Sequence, residues 1–211
     1  ILVAIITTMR QLDPLSPLTV MTRKPLETKL LHEVDAVYTF NALKFRRAMR
    51  HARLFINGGG SLIQDVTSSR SLYFYLYTIH AARPLGCKVQ MYGCGVGHVG
   101  APSNRRLAGR VLNRSVDIIT LRDTISQQEL LEMNVTKPQV RLAADPALSL
   151  APASDEAACR FLEKQGVPAD GNYICFALRP WGDFHDFGVF AQAAEYAYRQ
   201  YGLTAVFLPI E

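Results

Sequence analysis

The sequence predicts an α/β fold, a Rossmann-like doubly wound parallel sheet with helices on both faces. Three observations carry that reading. Helical and strand-like patterns alternate along the chain, which is the signature of βαβ units. Glycine-rich segments follow strand-like ones, at the carboxyl ends where open parallel sheets gather ligands. Hydrophobic residues make up 49% and charged residues 19%, the balance of a packed globular chain rather than a disordered one.

The elements follow in order. Residues 1–12 are helical in pattern, 18–22 (LTVMT) strand-like, 26–34 helical and 36–40 (AVYTF) strand-like. Asn41 can cap a helix reaching about Ala52, because its side chain satisfies free amides of the first turn. Residues 54–57 form a short strand running into Gly58, Gly59 and Gly60. A long aromatic-rich helix, 69–83, closes at Pro84 and Gly86. Strand 88–92 (KVQMY) is expected to end at Gly93. A basic helix (103–114), strand 117–121 (DIITL), helix 124–133 and strand 140–143 complete this block.

Composition shifts at residues 150–154 (LAPAS), so the sequence divides into a first domain, 1–150, and the start of a second, 151–211. The second holds helix 155–165, strand 173–178, loop 179–186, helix 187–201 and strand 204–208. It is too small to bury a full core of this class. The chain opens on Ile1 inside a helical pattern and closes just after a strand-like run. The expectation is therefore a fragment, whose first domain lacks its first strand and glycine loop and whose second is incomplete.

Net charge is +5 and the isoelectric point about 9.1, compatible with anionic substrates or a membrane surface. Residues 45–53 (FRRAMRHAR) concentrate that charge, and the plainest reading is one solvated helix face. The apolar run 1–6 is too short to span a bilayer and has no basic leader or cleavage site. The four cysteines, Cys87, Cys94, Cys159 and Cys175, form no C-x-x-C pair. They are expected reduced in a core, as in a cytoplasmic protein. No ligand cluster for a metal is visible, and no nucleic-acid partner is expected.

Five loops can carry chemistry. In the first, Gly58, Gly59 and Gly60 permit a tight turn and leave amides free for an anion, while Ser61, Gln64, Asp65, Thr67 and Ser68 add polar groups. In the second, Gly95, Gly97 and Gly100 match G-x-G-x-x-G, with Gly93 ahead of them. A dinucleotide site would need an acid ending a strand about twenty residues on. Asp117 begins one instead, and Pro102 interrupts the approach to the helix, so a loop shaping a sugar or phosphate pocket fits better. His98 in this loop is read as a surface residue. In the third, Arg122 emerges at a strand end with a fork suited to carboxylate or phosphate, and Asp123 can cap the next helix. In the fourth, Asp145 is held extended by Pro146, which either aims its carboxylate or shapes the exit turn. The fifth places Arg179 and Trp181 after the first strand of the second domain, where Arg179 could face the same cleft.

Taken in order, GGGSLIQDVTSS, YGCGVG, TLRDTIS, ADPAL and LRPW closely resemble the polysaccharide pyruvyl transferase family, most of all its bacterial cell-wall (CsaB) type. The resemblance runs along nearly the whole chain. It implies two Rossmann-like domains in a GT-B-like architecture, here with the second truncated. It also implies phosphoenolpyruvate as donor, no cofactor, and a pyruvate ketal formed on a sugar such as N-acetylmannosamine of a cell-wall polysaccharide. Arg122 and Asp65 would be the catalytic pair. Gly58, Gly59, Gly60, Ser61, Gln64, Thr67, Gly93, Gly95, Gly97, Asp145 and Arg179 would bind substrate. The acceptor would be a saccharide or lipid-linked polysaccharide, which leaves peripheral association with the inner face of the cell membrane open.

The chain also departs from the family. A glycine–aspartate loop before the first helix is absent, and Cys94 and His98 stand where Gln and Pro are usual. The motif with the catalytic histidine would lie beyond Glu211, so His80, His98 and His185 are not its equivalent. A nucleotide-sugar glycosyltransferase of the same architecture, or an inactive fragment, is the alternative.

Overall fold

The computed structural model describes residues 1–66, 68–167, 171–179, 184 and 186–210. It comprises two compact units, Ile1–Leu150 and Ala151–Glu211. The first runs α1 (Leu2–Leu12), β1 (Thr19–Thr22), α2 (Pro25–His32), β2 (Asp35–Tyr38), α3 (Ala42–His51), β3 (Leu54–Gly58), β4 (Ser61–Ile63), α4 (Ser69–Ala82), β5 (Lys88–Val96), α5 (Pro102–Ser115), β6 (Ile118–Leu121), α6 (Thr124–Glu132) and β7 (Gln139–Leu142). Strands β3, β5, β6 and β7 pair in that order, all parallel, and β4 pairs with the last residues of β5. Strands β1 and β2 form a separate parallel pair. This is the Rossmann-like α/β arrangement that the alternating pattern predicts.

Local chemistry sets the helix starts. The Asn41 side chain accepts from the Lys44 amide at 2.9 Å, and that of Asp123 accepts from Ser126 at 2.7 Å. Leu72, Leu76 and Ile79 recur at helical spacing on α4 and are buried against Val89 and Met91 of β5 and Ile119 and Leu121 of β6, with Leu112 of α5 in the same core.

The structure differs from the expected elements in three places. Strand β5 does not stop at Tyr92 but continues through Gly93 and Gly95 to Val96. Glycine's low strand propensity hides this continuation, which neighbouring strands enforce. Residues 61–63, expected as loop, form β4 against that extension. Helix α5 begins at Pro102, one residue ahead of the expected start, so the proline belongs to the first turn, where its missing N–H costs nothing, and not to the loop before it.

The second unit holds α7 (Asp155–Lys164), β8 (Tyr173–Leu178), α8 (Gly188–Tyr201) and β9 (Thr204–Pro209), with β8 and β9 parallel. Phe176 stacks on Phe207 and meets Phe190 edge-on. Among the described residues only Ala197 of this unit is a buried hydrophobic side chain. The cysteines divide between the units. Cys87 and Cys94 are buried, whereas Cys159 and Cys175 are exposed, so the expectation of four core cysteines holds for two. No helix among the described residues is long and apolar enough to cross a membrane.

Candidate active site

Glycines bend the sheet at the carboxyl ends of β3 and β5. Gly59 and Gly60 have φ of +72° and +70°, and Gly93 has φ of +56°, a region that favours glycine. The first two separate β3 from β4, and the third coincides with a register shift between β5 and β6. The backbone amides here are not free. Gly59 donates to Tyr92 at 3.0 Å, Gly95 to Gly60 at 2.9 Å and Gly97 to Ile63 at 2.9 Å. Gly93 donates to the Thr120 hydroxyl at 2.8 Å. Of the three glycine amides expected free for an anion in the first loop, that of Gly59 is therefore used within the fold, by the Tyr92 carbonyl of the neighbouring strand.

Their service is close approach. A Cβ on Gly95 would lie 2.7 Å from the Ser61 Oγ and 3.2 Å from Nε and Nη2 of Arg122. A Cβ on Gly97 would lie 2.9 Å from the Gln64 Cβ. One on Gly93 would overlap the Pro146 ring, and one on Gly58 would overlap Ile5 of α1.

Arg122 lies at the centre of this arrangement. It follows β6, its backbone amide donates to Cys94 at 3.2 Å, and its guanidinium crosses the face of Gly95. Nη1 donates to the Asp145 Oδ2 at 2.9 Å and Nη2 to the Ser61 Oγ at 3.0 Å. Nε stands 3.7 Å from the Asp123 carboxylate. Side-chain exposures of 32% for Arg122 and 24% for Asp145 leave the pair open to a solute but partly shielded. Asp145 is extended, as expected before proline, and its Oδ1 accepts from the Ala147 amide at 3.0 Å. That amide, with Arg122, holds its carboxyl below the usual range. Ser61, Gly95, Arg122 and Asp145 thus converge from four segments at the strand ends.

Asp65 has a different setting. Its carboxylate accepts from the Gly100 amide at 2.8 Å, the Ala101 amide at 3.3 Å and the Asn104 side chain at 2.8 Å. It anchors the start of α5, and these bonds, Asn104 first, lower its pKa. A carboxyl held ionised in this way is a poor proton donor at neutral pH, so the geometry is that of an anchor rather than a general acid. Folded-state lowering adds stability that is complete above the ordinary carboxylate pKa and fades as pH falls through the folded value. We expect Asp65→Ala to cost about 1–3 kcal/mol at neutral pH. The difference from wild type should shrink on acidification, as read by urea midpoints across pH.

The remaining expected residues are placed as follows. Gln64 flanks Gly97. Thr67, Trp181 and His185 lie outside the described residues. Arg179 belongs to the second unit, exposed at the end of β8. Asp117 sits at the start of β6, bound by Arg83 at 2.7 Å and by the Val89 amide at 2.8 Å, remote in the strand direction from Gly95. That removes the dinucleotide reading. Cys94 is buried against this region, and burial pushes its thiol up to about 12, so it is no nucleophile at neutral pH.

Residue-by-residue reading of the sequence passed over three supports. Thr120 accepts from Gly93, the Ser126 hydroxyl accepts from the Val96 amide at 2.7 Å, and Asn104 holds Asp65. Their signal was a polar residue on an otherwise interior face. His98 is exposed, with Nδ1 3.2 Å from Oε1 of Glu129.

No curated protein and no solved structure matches the chain. The model of one family, polysaccharide pyruvyl transferase, matches residues 1–211. By that match along its whole length, the chain belongs to the polysaccharide pyruvyl transferase family, transferases that act on polysaccharides.

Proposed function

We propose that the protein transfers the pyruvate unit of phosphoenolpyruvate onto a saccharide as a ketal, releasing phosphate. The observation that carries this reading is Arg122, a guanidinium fixed by Asp145 and Ser61 at the carboxyl ends of the sheet. Phosphoenolpyruvate bears a carboxylate and a phosphate close together, and a planar fork in a shielded site suits either group. Arg122 contacts the donor, with Ser61 beside it. Asp145 is a positioning residue that sets the plane of the guanidinium.

The reaction balances without an oxidant or reductant. One sugar hydroxyl adds to the carbon bearing the phosphate ester, and the methylene carbon takes up a proton to become methyl. The carbon–oxygen bond to phosphate then breaks, and a second hydroxyl of the sugar closes the ketal. Two hydroxyl protons are lost, one ending on the methyl group and one on phosphate. Positive charge held near the leaving phosphate stabilises the step at which negative charge accumulates there. The motif resemblance to the cell-wall branch favours an N-acetylmannosamine-containing acceptor.

The test uses the full-length gene product, phosphoenolpyruvate and a synthetic N-acetylmannosaminide. Phosphate release matched by an acid-labile pyruvyl mass addition is the expected outcome. Transfer of a hexose from a nucleotide sugar, with no phosphate released from phosphoenolpyruvate, would sink the reading.

A further inference from the structure

We propose that the outward face of α3, together with Phe40, docks the protein on an anionic phospholipid bilayer. Between residues 36 and 64 the sequence contains no aspartate or glutamate, yet it carries Lys44, Arg46, Arg47, Arg50, His51 and Arg53. Helix α3 buries Phe45 and Met49, one turn apart, so the opposite face is set by helical geometry. Leu43, Arg47 and His51 lie along its centre, with Lys44 and Arg50 on its flanks and Arg46 at its border. Among the described residues none of these cations has an ion-pair partner. Elsewhere Arg83 pairs with Asp117, Arg105 with Glu132 and Arg122 with Asp145. Helix α5 is basic as well, but its Arg105 is held by Glu132; no cation of α3 is so paired among the described residues.

The apolar component decides the kind of partner. Leu43 is 82% exposed in the middle of the basic face. Phe40, 60% exposed, sits beside the N-terminal end of α3, edge-on to Phe74 and under the Arg23 guanidinium at 5.8 Å. A recess of about 150 Å³ opens there, lined in part by Phe40, Phe45, Phe74 and Tyr77. Exposed leucine and phenylalanine within a cationic surface match an interface of anionic headgroups over acyl chains. A nucleic acid would instead be met by several aromatic rings interleaved with the cations for stacking; Phe45, the aromatic residue of α3, is buried, and the exposed Phe40 lies off the helix, beside its N-terminal end.

The test is flotation of the full-length gene product with vesicles of phosphatidylcholine alone or mixed in equal parts with phosphatidylglycerol. We expect flotation only with phosphatidylglycerol, weakened by salt. Each basic residue near such a surface is worth roughly a fivefold change in partitioning, so R46E/R47E/R50E should lose about 100-fold or more. L43S should weaken binding while leaving its salt dependence in place. The milder R47Q/R50Q keeps the comparison sound if charge reversal disturbs folding, and melting temperature reports that directly. Absence of flotation, equal flotation of wild type and variants, or tighter binding to a single-stranded oligonucleotide than to the vesicles would each overturn the proposal.

Discussion

Arg122→Ala should abolish most turnover while leaving the fold nearly intact. Truncating one partner of a shielded charge pair that also meets a charged ligand costs about 2–5 kcal/mol in binding, or roughly 30-fold to several-thousand-fold in kcat/KM. The stability change should be small, about 1 kcal/mol or less, because both Arg122 and Asp145 remain partly solvated and the pair supports little core. Arg122→Lys separates charge from geometry. A lysine keeps one positive charge but cannot bridge Asp145 and Ser61 while also presenting a flat fork, so it should remain seriously impaired. Steady-state kinetics alongside thermal melting check both halves. Near-normal turnover in both variants would assign Arg122 to a plain structural pair.

Gly93→Ala carries the largest expected effect on the fold, and it should reach the site through Pro146. A non-glycine residue at φ +56° costs about 1–2 kcal/mol. The added Cβ would also overlap the Pro146 ring, an overpacking of about 1–3 kcal/mol. Together these give a loss of about 2–5 kcal/mol in urea unfolding. If the backbone yields instead, Pro146 moves and takes Asp145 with it, loosening Arg122. Gly86→Ala is the control, since Gly86 has φ of +92° with nothing within 4 Å of an added Cβ, and only the strain component should appear. Equal losses in the two variants would show that the contact with Pro146 contributes nothing.

The framework of alternating elements was legible because each helix carries its own local signal. Asn41 and Asp123 cap where their side chains allow, and Leu72, Leu76 and Ile79 mark a buried stripe by spacing alone. The strand ends were harder. Gly93 and Gly95 read as loop because glycine has little intrinsic preference for a strand. Their conformation is imposed by pairing with residues far away in sequence, among them Gly60 and Thr120. Such long-range pairing is also why the Gly59 amide was expected free, although it donates to Tyr92. Arg122, Ser61 and Asp145 could each be singled out by residue type and position after a strand. Their mutual hydrogen bonds could not, since nothing local encodes which side chain Arg122 reaches. Asp65 was legible as a polar residue at a strand exit, but its role was set by Gly100, Ala101 and Asn104, a loop and helix start away.

The most direct measurement of the central claim is a crystal structure of the full-length gene product with phosphoenolpyruvate bound. The account predicts the donor's phosphate or carboxylate within hydrogen-bond reach of the Arg122 guanidinium, about 2.7–2.9 Å for charge-assisted bonds, over Ser61 and Gly95. A donor bound elsewhere, with Arg122 still spanning Asp145 and Ser61 and untouched by any ligand atom, would contradict it.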